Sequence, residues 1–297
     1  MSAETGTRLR VGVVGAGRVG SVLGAALVRA GHTVIGVSAV SADSRRRAER
    51  LLPGAPVLPA DEVVANAQLV LLAMPDDALR AFVAGLADAG GWSSGQLVAH
   101  TSGAHGFGVL DPAAARGVLP LALHPAMTFA GRPEDLHRLA GASFGVTSPE
   151  QLRAVAETLV VEMGGEPVWV PESARPLYHA ALTVGSNHLV TLVNDAVSLL
   201  GRAGVDEPAR LLAPLLSASL DNALRLHDAA LTGPVSRADV ATVAAHLRTL
   251  DVEAPDASAS YIAMARRSAE RAHGSGRLDA TQLAAVLGTL DRAHGSR

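Results

Sequence analysis

The sequence predicts a mostly parallel, doubly wound α/β sheet domain followed by an all-helical domain. Two observations carry this reading. Short apolar runs alternate with helical patterns as far as about residue 171, and beyond it only helical periodicity remains. The first of these runs leads into a glycine turn, Gly15-Ala16-Gly17-Arg18-Val19-Gly20, that opens a helix. Alternation of this kind implies right-handed βαβ crossovers and a parallel sheet buried on both faces. The domains are placed at residues 1–171 and 172–297, which suits the rough 150 residues per domain expected of a 297-residue chain.

Taken in order, residues 9–14 (LRVGVV) form a buried strand, and the helix after the glycine turn runs to about Arg29. Gly31 stops it from the C-terminal cap position. Residues 33–40 make a second strand, 44–52 a short helix, and 68–74 a third strand ended by Pro75. Asp76 or Asp77 is expected to cap the next helix, to about Ala89. Strands are read over 96–101, 118–123, 142–147 and 166–170, with a helix over 149–163. The second domain reads as helices over 173–200, 206–228, 236–250, 256–272 and 279–292. Ser236 is the expected N-cap of the third of these, with Asp239 at its third helical position.

Composition narrows the function. Hydrophobic residues are 48% and charged residues 18% of the chain, which is enough apolar material for packed cores and argues against disorder. With no cysteine, disulfides, thiolate nucleophiles, iron–sulfur clusters and cysteine-held zinc are excluded. All 25 basic residues are arginine, so Schiff-base chemistry and the lysine of a Walker-type loop are excluded too. A net charge of −3 and 3% aromatic residues offer neither the basic face nor the stacking platforms of nucleic-acid binding. No apolar run approaches the ~20 residues of a membrane span. Residues 1–9 are too short and polar for a signal peptide. A soluble cytoplasmic protein with no membrane or nucleic-acid partner is expected.

The glycine turn carries the most specific chemistry. Gly15 permits the tight turn, Gly17 lets a diphosphate approach the backbone, and Gly20 lets the helix pack on the sheet. The amide groups and positive helix end over Ala16, Arg18 and Val19 would hold that diphosphate. No acidic residue ends the second strand to meet a ribose 2′-hydroxyl. Ser38 and Ser41, followed by Arg45, Arg46 and Arg47, suit a 2′-phosphate, so NADP is expected. Asp43 keeps NAD possible. In an open α/β sheet ligands bind beyond the carboxyl ends of the strands. Met74, Pro75 and Asp76, then His100, Thr101 and Ser102, are therefore expected along the cofactor, and His124 and Pro125 in the substrate pocket. For each histidine a structural role reads equally well. No histidines have metal-ligand spacing, and no metal is expected. Residues 91–95 (GWSSG) match an esterase pattern, but a helix precedes and a strand follows, the reverse of a nucleophile elbow.

In the first helix of the second domain, His179, Thr183, Ser186, Asn187, Asn194 and Ser198 fall within about a third of the circumference, opposite Leu, Val and Ala. So apolar a helix should be largely buried, and its polar stripe then needs partners. A ligand cleft would supply them; a helix–helix seam or a solvent-facing stripe would also do so. Arg237 could offer a forked donor to a carboxylate, or lie on the surface.

The segments GAGRVG (15–20), LAMPDDAL (72–79), HTSGAHG (100–106), LHPAMTF (123–129), YHAALTVGSNHL (178–189) and LTGPVSRAD (231–239) together resemble a bacterial family of Rossmann-like proteins. Its C-terminal helical half was long catalogued as a domain of unknown function, and it is related to the 6-phosphogluconate-dehydrogenase-like superfamily. The resemblance implies an NADP-binding Rossmann domain, a helical dimerisation domain giving a homodimer, and a cleft for a small-molecule substrate, a carboxylate. Some members are thought to be ketopantoate reductases. Related branches use a lysine and an asparagine on the first helix after the Rossmann domain. This chain has no lysine, and His179 is nearest in role, with Ser186 and Asn187 two turns on.

The resulting expectation is an NADP-dependent oxidoreductase reducing a small 2-keto acid, with ketopantoate as the best single substrate. His179 is the general acid. Asn187 and Ser186 orient the carbonyl, Thr183 lines the pocket, and Arg237 holds the carboxylate. Two alternatives stand beside it: an imine reductase resembling pyrroline-5-carboxylate reductase, and a non-enzymatic NADP-binding sensor.

Overall fold

A computed structural model of the chain describes residues 8–294; the polar lead-in read over residues 1–9 falls almost wholly outside them. The described residues divide into two compact units, the first ending at Gly185 and the second beginning at Ser186. The first unit is built on one seven-stranded sheet. In chain order it runs β1 (Arg10–Val14), α1 (Arg18–Arg29), β2 (Thr33–Ser38), α2 (Ala42–Leu51), α3 (Ala60–Asn66) and β3 (Leu69–Leu72). Next come α4 (Asp76–Asp88), β4 (Leu97–His100), α5 (Asp111–Ala114), β5 (Leu119–Pro125), α6 (Asp135–Arg138), β6 (Ser143–Thr147), α7 (Arg153–Glu162), β7 (Glu166–Trp169) and α8 (Arg175–Thr183).

The strand order is β2-β1-β3-β4-β5-β6-β7. The chain leaves β1 to one side for β2 and returns to its other side for β3. The glycine turn therefore stands at the switch point where such sheets bind ligands. β1 to β5 are all parallel, as the alternation predicts. β6 reverses and pairs antiparallel with β5, and β7 is parallel to β6. Alternate residues of β1 and β3 serve the two faces. Val11, Val13, Leu69 and Leu71 meet Leu23 and Leu27 of α1. Val14, Val70 and Leu72 meet Leu79 and Val83 of α4. This double burial is why the strands read as unbroken apolar runs.

Several local expectations are corrected. Pro75, not an aspartate, occupies the N-cap of α4. Asp76 and Asp77 lie in its first turn without a capping hydrogen bond and favour the helix through its dipole. Helix α3 lies where the sequence reading places no element, although Pro59 at its N-cap and Asp61 and Glu62 in its first turn mark its start. The last strand ends at Trp169, yet the first unit continues to Gly185. The reason is chemical, since Arg175 and Tyr178 of α8 are bonded to the sheet.

The second unit holds α9 (Leu189–Arg202), α10 (Pro208–Leu226), α11 (Val240–Glu253), α12 (Pro255–Gly274) and α13 (Ala280–His294). Its core joins Val243 and Leu247 of α11, Ile262 and Ala269 of α12, and Val286 and Leu290 of α13. Ser236 is not an N-cap. Residues Val235–Arg237 form a 3₁₀ turn, Ala238 takes a left-handed conformation, and Asp239 caps α11 by accepting from the Thr242 amide at 3.1 Å. The helix read over 173–200 is interrupted by a π-helical turn, Val184–His188. Its wider i→i+5 spacing shifts the angular phase of the side chains across the turn. The single stripe through His179, Thr183, Ser186, Asn187, Asn194 and Ser198 is therefore broken, and α9 has no buried residue. Among the described residues no helix is long and apolar enough to cross a membrane.

Candidate active site

At the carboxyl end of β1 the backbone forms a cradle. Gly15 has φ +93° and lies so close to the Ala73 carbonyl that a Cβ would overlap it; a Cβ on Gly20 would overlap the Gly15 carbonyl. The Ser38 carbonyl at the end of β2 accepts the amides of Gly15 at 3.2 Å and Ala16 at 2.8 Å, fixing the turn. α1 then starts at Arg18 with no side-chain cap, leaving its first amides for a ligand. A Cβ on Gly17 would meet nothing nearer than 4.0 Å, so that face is open. The cradle fits the diphosphate of a dinucleotide.

The cationic residues beside it separate into different roles. Ser41 caps α2 by accepting from the Ser44 amide at 3.1 Å. Arg45 donates through Nε to the Ala39 carbonyl at 3.3 Å, just past β2. Arg46 is paired with Asp43 on the surface. Arg47 is half-buried and packs beside Gly131 of the loop between β5 and β6, where Arg18 also arrives.

At the same end of the sheet β4, β5, β6 and α8 assemble a polar group. The His124 ring and the Tyr178 ring meet edge to face, with Nδ1 of His124 2.9 Å from the Tyr178 hydroxyl. His179 packs edge to face on His124 at 6.1 Å between ring centroids. A Cβ on Gly103 would lie 2.7 Å from the His179 ring and 3.0 Å from Nε2 of His124, so these rings close around that glycine. Gly145 is the register partner of His124 across the antiparallel β5–β6 pair, and a Cβ there would overlap the Tyr178 hydroxyl. Beneath them Arg175 is fully buried and donates to Thr147 Oγ1 at 2.7 Å and to the carbonyls of Gly145, Ala122 and Ser102 at 3.0, 3.1 and 3.4 Å. Burial, helped by the Arg175 charge, pushes the His124 pKa down to about 4, and burial pushes the Tyr178 phenol up. Both are neutral near pH 7.

His100 takes the structural alternative. It is 0% exposed, and its Nδ1 accepts the Ser102 amide at 3.2 Å. The proton is thus on Nε2, which donates to the Gly106 carbonyl at 2.8 Å. Ser102 is also buried, its hydroxyl accepting the His105 amide at 3.2 Å. Thr101 is tied through its amide to the Leu72 carbonyl at 3.1 Å. Met74, Pro75 and Asp76 form the turn from β3 into α4. The charge of Asp76 acts on both His100 and His124. Pro125 is buried at the end of β5, and Thr183 is half-buried at the end of α8. Ser186, Asn187 and Arg237 belong to the second unit, where Asn187 and Arg237 are exposed. Arg175, Tyr178 and Gly145 were not anticipated. Tyr178 was in plain view as one of only two tyrosines, directly before His179.

Burial also makes stability depend on acid. The His100 pKa is lowered to about 4 from an ordinary 6.5. The unfolded chain therefore takes up this proton first. The stabilisation is complete above about pH 6.5 and is lost as pH falls toward 4, by roughly 3 kcal/mol for this group. Urea midpoints are expected to fall between pH 7.5 and 4.5, and to fall less in His100→Gln. An identical fall in the two proteins would assign the acid sensitivity to other groups.

A cavity of about 740 Å³ opens instead at the amino ends of the strands, near Arg10, Glu62 and Gln96. It stands away from the glycine turn, and Gln96 there is spent on the Val64 and Ala67 carbonyls at 2.7 and 2.8 Å.

Comparison with known proteins agrees with this architecture. Residues 2–125 match the Rossmann-like domain family, and residues 142–268 match the domain of unknown function DUF2520. No curated protein matches the chain. Among solved structures, a candidate NADP oxidoreductase from Bacteroides fragilis is similar with a TM-score of 0.75 and 22% identity, over 89% of this chain and 98% of that one. An imine reductase from Pseudomonas sp. has a TM-score of 0.64 and 20% identity, over 96% and 100%. A reductive aminase from Aspergillus terreus, in complex with NADPH and ethyl levulinate, has a TM-score of 0.60 and 20% identity, over 98% and 95%. At these identities the likeness is one of fold.

Proposed function

The chain belongs to the two-domain family that joins a Rossmann-like domain to DUF2520, and on that premise we propose that it is an NADP-dependent reductase of a small 2-keto acid, with ketopantoate as the best single substrate. NADPH is the cofactor that suits the arginine-rich rim; NADH would fit the same cradle less well. The observation that carries the reading is the group of His124, Tyr178 and His179 at the carboxyl end of the sheet that also holds the glycine cradle.

When bound, NADPH supplies a hydride to an electrophilic carbon. The chain's own residues manage the oxygen and its proton. His124 is neutral and cannot be the acid. With hydrogen on Nδ1 it donates to the Tyr178 oxygen, which turns the phenol hydrogen toward the substrate oxygen. His179 has no hydrogen bond from its ring nitrogens among the described residues and is the proton donor. Arg175 makes no ion pair among the described residues, and its buried positive charge favours an anionic substrate at this end of the sheet.

The test is NADPH oxidation by the purified protein against ketopantoate, other 2-keto acids and cyclic imines. Turnover of keto acids is expected. A second reading, imine reduction, is favoured by the fold shared with the Pseudomonas enzyme and would appear as turnover confined to imines. NADPH binding with no turnover on any of them would make the protein a sensor.

The functional particle is a homodimer through the helical unit. α9 and α10 bury only Leu212 between them, and Leu192, Leu215, Leu220 and Leu224 are 38%, 59%, 51% and 71% exposed. Such apolar faces mark a protein interface. Sedimentation equilibrium is expected to give twice the chain mass, and Leu215→Arg with Leu224→Arg to give the monomer. A monomeric parent protein would refute the interface.

A further inference from the structure

We propose that the loop between β5 and β6, residues 126–134, is a clasp over the 2′-phosphate end of the cofactor. Arg47, Gly131 and Asp135 are then the residues that select NADP over NAD. This rests on the NADP reading above.

The loop reaches an unexpected place. β5 and β2 are separated in the sheet by β4, β3 and β1. The loop after β5 nevertheless touches the helix after β2, because Arg50 donates to the Gly131 carbonyl at 2.8 Å. Gly131 is buried with φ +73°, and a Cβ on it would lie 2.7 Å from Cδ of Arg47 and 3.2 Å from Cγ of Arg18. A backbone point from the far half of the sheet is thus wedged between the residue that opens α1 and a residue of α2.

Asp135 holds the loop in that shape. It is 1% exposed, and its Oδ2 accepts the amides of Ala130, Gly131 and Arg132 at 2.8, 2.7 and 3.3 Å. Its Oδ1 has no hydrogen-bond partner. A buried carboxylate oxygen left unpaired is costly, so the aspartate is kept there for the conformation it imposes.

Charge supplies the occupant. Among the described residues Arg18, Arg45, Arg47 and Arg50 make no ion pair, whereas Arg46 is neutralised by Asp43. Arg45 is anchored to the Ala39 carbonyl immediately past β2, where the adenosine ribose of a dinucleotide lies in this fold. The guanidinium groups of Arg47 and Arg50 both stand against Gly131 and repel one another, and a bound anion would offset that repulsion. A phosphate monoester on that ribose is such an anion, and guanidinium forks are its matched donors.

The experiment measures equilibrium binding of NADPH and NADH by nucleotide fluorescence in the intact protein, Arg47→Ala and Gly131→Ala. Far-UV circular dichroism confirms folding of each. The parent protein is expected to bind NADPH more tightly than NADH. Both variants should weaken NADPH binding about 10–100-fold, the worth of a charge-assisted contact, and leave NADH binding unchanged. If Gly131→Ala does not fold, Arg47→Ala alone decides, since its side chain is half in solvent. Equal losses for both nucleotides, or no loss, would overturn the clasp and leave the NADP reading standing. Failure of the parent protein to bind either nucleotide would overturn both.

Discussion

Exchanging Arg175 for methionine is expected to lower the unfolding free energy by about 3–5 kcal/mol. A reduced urea midpoint at unchanged slope would report it. Arg175 stitches the carboxyl end of the sheet together. Its guanidinium reaches the Ser102 carbonyl after β4, Ala122 in β5, and Gly145 and Thr147 in β6. Thr147 Oγ1 in turn donates to the Val170 carbonyl after β7 at 2.6 Å. A buried cation without a carboxylate is expensive, and these acceptors, with the Tyr178 ring 5.7 Å away, offset that cost. Methionine fills much of the volume but leaves several buried carbonyls without donors, each costing about 1–3 kcal/mol. A loss below about 1 kcal/mol, the range of ordinary surface changes, would mean that those carbonyls find other partners.

Replacing His179 with alanine is expected to reduce kcat about 10²–10⁴-fold, the usual contribution of a positioned general acid. KM should change little, because proton donation matters in the transition state more than in binding. Tyr178→Phe removes the hydrogen bond proposed to the substrate oxygen and should cost about tenfold, roughly 1.4 kcal/mol. Equal kcat in the parent protein and His179→Ala would remove His179 from the mechanism. An imine substrate, already protonated, would show a much smaller loss.

The parts of this molecule governed by local chemistry were legible in the sequence. A buried parallel strand must be apolar throughout, and a tight turn against the Ala73 carbonyl must be glycine. β1 to β5 and residues 15–20 therefore announced themselves. The direction of β6 was not legible, because an apolar five-residue strand reads alike in either sense. The polar stripe beyond His179 failed for a definite reason. One π-helical turn changes the phase of everything after Val184, and nothing in VGSNH distinguishes it from α-helix. Nothing local marks Arg175 or Tyr178, because their contacts depend on Ser102, Ala122 and Gly145, far away in the chain. A run of arginines likewise does not reveal which of them pairs with Asp43, as Arg46 does on the surface.

The reversal of β6 makes strand register a condition for the His124–Tyr178 contact. Gly145 faces His124 only in the observed pairing, and its missing side chain is the space through which the Tyr178 hydroxyl arrives. Successive residues of a strand point to opposite faces, so a slip of one position would bring Phe144 or Val146 opposite His124 and close that space. The run 143–147 cannot gain or lose a residue without changing that pairing. The seat of the Tyr178 hydroxyl beside His124 is thus fixed when one short strand finds its partner.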